Sequence, residues 1–272
     1  MSMHLPLLVL LVCRVCSQGA ATTKREEETP PKITEVPTAL GLAQFYRKHV
    51  GCDGLPVVAS EKVPDAALLE ARRIVKAMMA KRPDVLQAIA RKGIRLAVMA
   101  KSEITTDIPE HSDLTPKDFW AKRARGLGAT MVRPAVSCAE ENLLGYEQDQ
   151  YWAECILIHE FAHTVHEIGL AETDKTFDGR LKQAYDAAMK KGLWQNTYAA
   201  KNRNEYWAEG VQAWYNAANY ADPPNGVHNH VNRRDVLKAY DPGLAALIEE
   251  VFGDAECHPA QRFRSGPKAK KP

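Results

Sequence analysis

The chain has 272 residues, 45% of them hydrophobic, and a formal net charge of +2. That length suits one sizeable domain or two small ones. Acids and bases are well mixed, so no basic face argues for a nucleic-acid partner.

Leu5 to Val12 is an apolar run too short to span a membrane, followed by small residues at Ser17, Gly19 and Ala20. It reads as a secretory signal peptide over 1–20, with no Lys or Arg ahead of the run. Extracellular localisation without stable membrane insertion follows from that reading. Residues 21–38 carry Lys24-Arg25-Glu26-Glu27-Glu28 and then Pro30-Pro31, which predicts a solvated, disordered linker. One folded domain is expected over 39–262, with a disordered basic tail over 263–272. Beyond the signal, Cys52, Cys138, Cys155 and Cys257 remain. An even count in a secreted chain predicts two disulfides, with three connectivities open. None of the four has C-x-x-C spacing, so none is read as a zinc ligand. Cys155 lies one helical turn before His159 and could instead be a buried thiol.

Leu55 to Ser60 is an apolar run suited to a strand. Asp65 to Lys81 has helical periodicity, with Leu68, Leu69, Ile74, Val75 and Met78 on its apolar face, and Pro83 breaks it. A short helix resumes over Val85 to Arg91 and ends at Gly93. Ile94 to Ala100 alternates as a strand, Ile94, Leu96, Val98 and Ala100 sharing one side. Pro116 to Ala124 is expected to be helical, capped by Thr115. Gly126 and Gly128 precede a strand candidate over Ala129 to Val136. Further helices are expected over 174–190, closing at Gly192, and over 204–219. A turn cluster at Pro223-Pro224-Asn225-Gly226 precedes short helices over Arg234 to Tyr240 and Gly243 to Phe252. Strands mixed with helices, then helices alone, predict an α+β domain with a small mixed sheet.

Between these lies His159-Glu160-Phe161-Ala162-His163, an H-E-x-x-H sequence. Asp149 is expected to cap its helix, Trp152, Ile156 and Leu157 recur at helical spacing, and Gly169 marks the expected end. On a helix, residues i and i+4 share a face, so His159 and His163 aim two imidazoles at one point. Glu160 can then reach a water held there. Two histidines, a third protein ligand and one open position make a catalytic zinc site. A metzincin would place Gly three residues after His163 and His six after it; here those positions hold His166 and Gly169. The third ligand must therefore come from elsewhere. Glu205 and Glu209, four apart and flanked by Tyr206, Trp207, Val211 and Trp214, are the candidates, because carboxylates in a largely apolar helix need partners. One can bind the metal while the other accepts a hydrogen bond from a ligand histidine. His111, His166, His228 and His230 carry no assigned role; solvent exposure is the expectation for His111, His228 and His230.

The H-E-F-A-H sequence, Tyr198, and Glu205-Tyr206-Trp207-Ala208-Glu209 together resemble the zinc peptidase domains of the anthrax lethal factor type, which are gluzincins. The resemblance covers roughly residues 150–218. It implies a zincin-like fold with a small mixed sheet packed on the H-E-x-x-H helix. It implies one Zn²⁺ held by His159, His163 and Glu205, with Glu160 as general base. It implies Tyr198, seven residues before Glu205, as a donor to the transition state, and Glu209 as the partner of a ligand histidine. The expected function is a secreted zinc-dependent endopeptidase acting on a protein or peptide. The rivals are a catalytically inactive zincin-fold binding module and a zinc hydrolase of a non-peptide bond. Glu160 weighs against the inactive module, since a pure binder needs no base.

Overall fold

The computed structural model describes Met1 and residues 31–257; the expected signal peptide, most of the linker and the basic tail lie outside the described residues. The sheet opens with a hairpin that pairs Lys48–Cys52 (β1) antiparallel with Leu55–Ala59 (β2). Asp53 and Gly54 make its turn, both at positive φ (49° and 95°). An Asp-Gly turn of this kind matches the twist of the flanking strands. The chain then passes through two helices, Asp65–Met78 (α1) and Pro83–Arg91 (α2), to Arg95–Met99 (β3), which runs parallel to β2. After Lys117–Arg123 (α3) come a short strand, Gly126–Leu127 (β4), and Ala135–Ala139 (β5). The order across the sheet is β1-β2-β3-β5-β4. The three inner strands are parallel and both edges antiparallel.

The helices follow: Glu140–Leu144 (α4), Ile156–Thr164 (α5), a π-helical turn Val165–Leu170, Ala171–Thr173 (α6) and Phe177–Lys190 (α7). Arg203–Trp214 (α8), Arg234–Tyr240 (α9) and Pro242–Phe252 (α10) complete the described chain. This is the expected α+β class with a small mixed sheet. No helix among the described residues is long and apolar enough to cross a membrane.

Strand β3 shows how the sheet sorts its side chains. Leu96 and Val98 enter the main core with Val57, Val136 and residues of α1, α2, α5 and α8. Ala97 and Met99 face the other side, in a smaller core with Tyr46, Val58 and Ile108. Both sides of β3 are buried, as parallel inner strands require. The smaller core is covered in part by Val36, Leu42 and Phe45. Residues 31–38 therefore do not behave as the expected linker: Thr34 pairs with His49, each amide donating to the other's carbonyl at 2.9 and 2.8 Å.

Several local expectations are corrected. The strand expected over Ala129 to Val136 begins at Ala135, because residues 130–133 form the β4–β5 turn, closed by Thr130 N–H on the Arg133 carbonyl at 3.0 Å. Thr115 caps nothing; Pro116 takes the N-cap position of α3 without a side-chain bond. The Asp149 cap also fails, since α5 starts only at Ile156. Its Ile156 amide donates instead to the Asn142 side-chain oxygen from α4, at 2.9 Å. Gly169 does not end the helix but sits in the π-helical turn. A Cβ there would lie 2.6 Å from Val85 Cγ1 of α2, so glycine allows the two segments to touch. Helix α8 ends at Trp214, short of the expected 219, and Asn216 takes a positive φ of 54°.

The expected disulfides are absent among the described residues. Cys52, Cys138, Cys155 and Cys257 are all buried. The thiols of Cys52 and Cys257 each lie 3.7 Å from a backbone carbonyl of α1, those of Arg72 and Ile74. An even cysteine count carries no information about side-chain geometry, which decides whether a bridge can form.

Candidate metal centre

Helices α5 and α8 face each other, and their polar positions meet in one place. His159 Nε2 lies 3.1 Å from His163 Nε2. Glu205 Oε2 stands 3.2 Å from the first nitrogen and 3.3 Å from the second. Among the described residues, these three form the one group of His, Cys, Asp or Glu side chains close enough to hold a metal ion. Tetrahedral zinc with ligands at about 2.0–2.1 Å separates its ligand atoms by about 3.3 Å. The near-equilateral triangle seen here fits that requirement.

The backbone fixes each corner. The two histidines ride on one face of α5. Glu205 sits in the first turn of α8, where the Asn202 side chain accepts from the Asn204 and Glu205 amides, both at 2.9 Å. A carboxylate in a first helical turn is also favoured by the helix dipole. Tyr206, Trp207, Val211 and Trp214 are buried as the sequence suggested.

The charge balance calls for a cation. Burial by itself would lower the His159 pKa. The hydrogen bond that His159 donates to Glu205 and the charges of Glu160, Glu209 and Glu205 override it and raise the pKa to about 10. Burial also opposes ionisation of Glu205, but His159 and His163 hold its carboxyl well below the usual carboxylate range. The oxygen that would face a metal is thus a carboxylate.

One residue missed in the sequence sets the tautomer. The Gln212 side-chain nitrogen donates to the Cys155 carbonyl at 3.1 Å, which turns its oxygen toward His159 Nδ1 at 3.0 Å. A carbonyl oxygen only accepts, so Nδ1 carries a proton in either charge state, and a metal that displaces the Nε2 proton would meet that nitrogen's lone pair. Glu209, expected in that role, stands farther off, at 3.6 Å from the same Nδ1. Its other oxygen lies 3.8 Å from His228 Nδ1, and His228 Nε2 is 3.7 Å from Glu154. His228 is therefore buried behind the ligands rather than solvent-facing. His111 is buried as well, 3.1 Å from Ser137 Oγ, and burial lowers its pKa to about 4. His230 is exposed as expected. Helical spacing held a clue to Gln212, which follows Glu205 by seven residues and Glu209 by three on α8.

Glu160 is half-buried and lies beneath β4. A Cβ at Gly126 would come within 2.5 Å of Ile156 Cγ2 and 3.2 Å of Glu160 Cγ. One at Gly128 would sit 3.0 Å from His163 Cβ and 3.6 Å from Glu160 Oε2. The two glycines let the edge strand run directly against the histidine helix. Tyr198 opens a 3₁₀ turn, Tyr198–Ala200, just ahead of α8, and its amide donates to the Val227 carbonyl at 2.8 Å. Its hydroxyl neighbours the Glu205 carboxylate. Burial first, and Glu205 second, push its pKa up to about 12 against the opposing charge of Arg123. The site thus joins His159, His163, Glu205, Glu160 and Tyr198, with Glu209 behind them.

No family model and no curated protein matches this chain. Among solved structures, the PRO-PRO endopeptidase PPEP-2 from Paenibacillus alvei superposes with a TM-score of 0.41 at 19% identity, covering 74% of this chain and 98% of that one. A likeness of that size decides neither fold nor activity.

Proposed function

We propose that the chain is a zinc-dependent endopeptidase of the gluzincin kind, with His159, His163 and Glu205 as ligands to one ion. The observation that carries this reading is the convergence of those three atoms within 4.8 Å of one another, with Glu160 on the next residue of the same helix. Zinc bound there supplies Lewis acidity toward a carbonyl and brings the pKa of water toward ~7.

The chain's own groups do the rest. Gln212 holds His159 in the metal-binding tautomer. Glu160 takes a proton from the attacking water on its carboxylate and later gives it to the leaving amine. Tyr198 donates its O–H to the oxygen on which negative charge develops. Its raised pKa keeps that proton on the hydroxyl throughout the neutral range, as a donor needs. The same chemistry can attack other acyl centres, but β4 favours a peptide. It is the edge strand of the sheet and runs against the helix at Glu160, a place where an extended chain can add as a further strand.

Incubating the zinc-loaded chain with a peptide library tests the function. Cleavage that stops on chelation and returns with zinc is expected; intact peptides under all conditions would contradict it. The Tyr198→Phe variant should lose about 10²–10³ in kcat, with KM little changed because the bond is made in the transition state. Its zinc content should equal that of wild type. A Phe variant with full kcat removes the donor role, and one that loses zinc makes Tyr198 part of the metal site.

A further inference from the structure

The helix that carries the two histidines continues past the metal centre and walls a second feature. His166 and Glu167 follow His163 by three and four residues, in the π-helical turn that continues α5. A pocket of about 360 Å³ opens there, lined by His166, Glu167, Phe177, Asp178, Arg203 and Asn204 among others. Both ligand-bearing segments contribute, since Arg203 and Asn204 directly precede Glu205 in the first turn of α8. The Asn204 side-chain nitrogen donates to Glu167 Oε1 at 2.6 Å and ties the two segments together.

Two buried atoms of these lining residues have no hydrogen-bond partner: His166 Nδ1 and Asn204 Oδ1. Their neighbours make both of them acceptors. Arg203 grips the Asp178 carboxylate through Nε at 2.7 Å and Nη2 at 3.3 Å, and this keeps it ionised. Asp178 Oδ1 can then only accept from His166 Nε2, 3.1 Å away. His166 is 4% exposed, and burial lowers its pKa, so the ring is neutral and Nδ1 keeps a lone pair. Asn204 has its nitrogen turned to Glu167, which leaves its oxygen with unused lone pairs. A buried acceptor left without a donor is costly, so two of them call for a ligand that donates. Glu167 adds a carboxyl group, though burial raises its pKa; Asp174 and Asp178 are already held by Arg180 and Arg203, and the ammonium of Lys175, which also lines the pocket, is taken up by the Ala171 carbonyl at 2.5 Å. A metal ion suits the pocket less well, since its acidic and histidine side chains form no cluster of three ligand atoms as the metal centre does.

We propose that this pocket binds a lysine or arginine side chain of the substrate, the cationic N–H groups donating to His166 Nδ1, Asn204 Oδ1 and Glu167. Phe177 offers the apolar wall that a methylene stem needs. One helical turn rises about 5.4 Å, and an extended peptide advances about 3.3 Å per residue. A basic residue within two positions of the scissile bond therefore reaches the pocket. Its role as a substrate subsite rests on the peptidase reading; its affinity for a cationic donor does not.

The test is an NMR titration of the zinc-loaded full chain with N-acetyl-lysine methylamide and with its norleucine counterpart, which replaces the ammonium by a methyl group. The lysine amide should bind at least about tenfold more tightly, the share a charged hydrogen-bonded group contributes. His166→Phe, which keeps a ring against Phe177 and Trp207, should abolish the difference. Asn204→Ala should reduce it, with zinc content and melting temperature as controls for the fold. Equal binding of the two amides by wild type overturns the proposal. So does a lysine preference that survives in both variants. Preference for the lysine amide without cleavage of any peptide upholds the cation pocket and overturns the peptidase reading instead.

Discussion

Exchanging Glu160 for Gln is expected to cut peptide turnover by about 10²–10⁴-fold, the share of a positioned general base, while the chain keeps its zinc. Gln preserves the shape of the side chain and its fit beneath Gly126 and Gly128. It removes only the carboxylate that can take a proton. Glu160 is not one of the three converging ligand groups, so metal content should not change. Steady-state kinetics and metal analysis on one sample separate the two roles. Turnover above a tenth of wild type would deny Glu160 the base role, and loss of zinc would place it among the ligands.

The largest effect on stability is expected at Arg125, just ahead of β4. Its buried guanidinium donates to Glu141 through Nε at 2.6 Å and Nη2 at 3.0 Å. It also donates to the carbonyls of Glu103 and Ala100, at 2.5 and 3.1 Å. Met in its place fills similar volume but leaves the Glu141 carboxylate, 6% exposed, without its cation. Removing one partner of a buried pair costs about 3–5 kcal/mol. At about 2–4 °C per kcal/mol for a domain of this size, Arg125→Met should lower Tm by roughly 10 °C. Adding Glu141→Leu should restore part of the loss, because the stranded charge then disappears. Thermal unfolding followed by circular dichroism reads both variants. A drop below about 2 °C would mean that water reaches Glu141 and screens it.

What the sequence made legible follows from how local each signal is. Two histidines four apart need only a helix to share a face, and Glu205 stood out as an acid within an aromatic helix. Gln212 did not, because an amide in an apolar stretch gains its meaning only from what faces it. That partner, His159, lies 53 residues away. The burial of His111 and His228 likewise depends on tertiary neighbours. Strand β1 escaped notice although Asp53-Gly54 signalled its turn, since Lys48-His49 opens it with polar residues. The end of α5 was misplaced because glycine has two uses: Gly169 marks close packing on Val85, not a terminus. The pocket beside His166 was invisible in the sequence, for it forms only where the extension of α5 meets α7 and α8.

The metal site itself is read by a zinc titration of the metal-free full chain, alongside the His159→Ala, Glu205→Ala and Gln212→Leu variants. Wild type is predicted to bind one ion per chain. Gln212→Leu should weaken binding by about 10–100-fold, as the loss of a ligand's hydrogen-bond partner does, and the two ligand variants should weaken it further. A wild-type chain that takes up no zinc would contradict the three-ligand site, and a Glu205→Ala variant that binds as tightly as wild type would remove Glu205 from the ligand set.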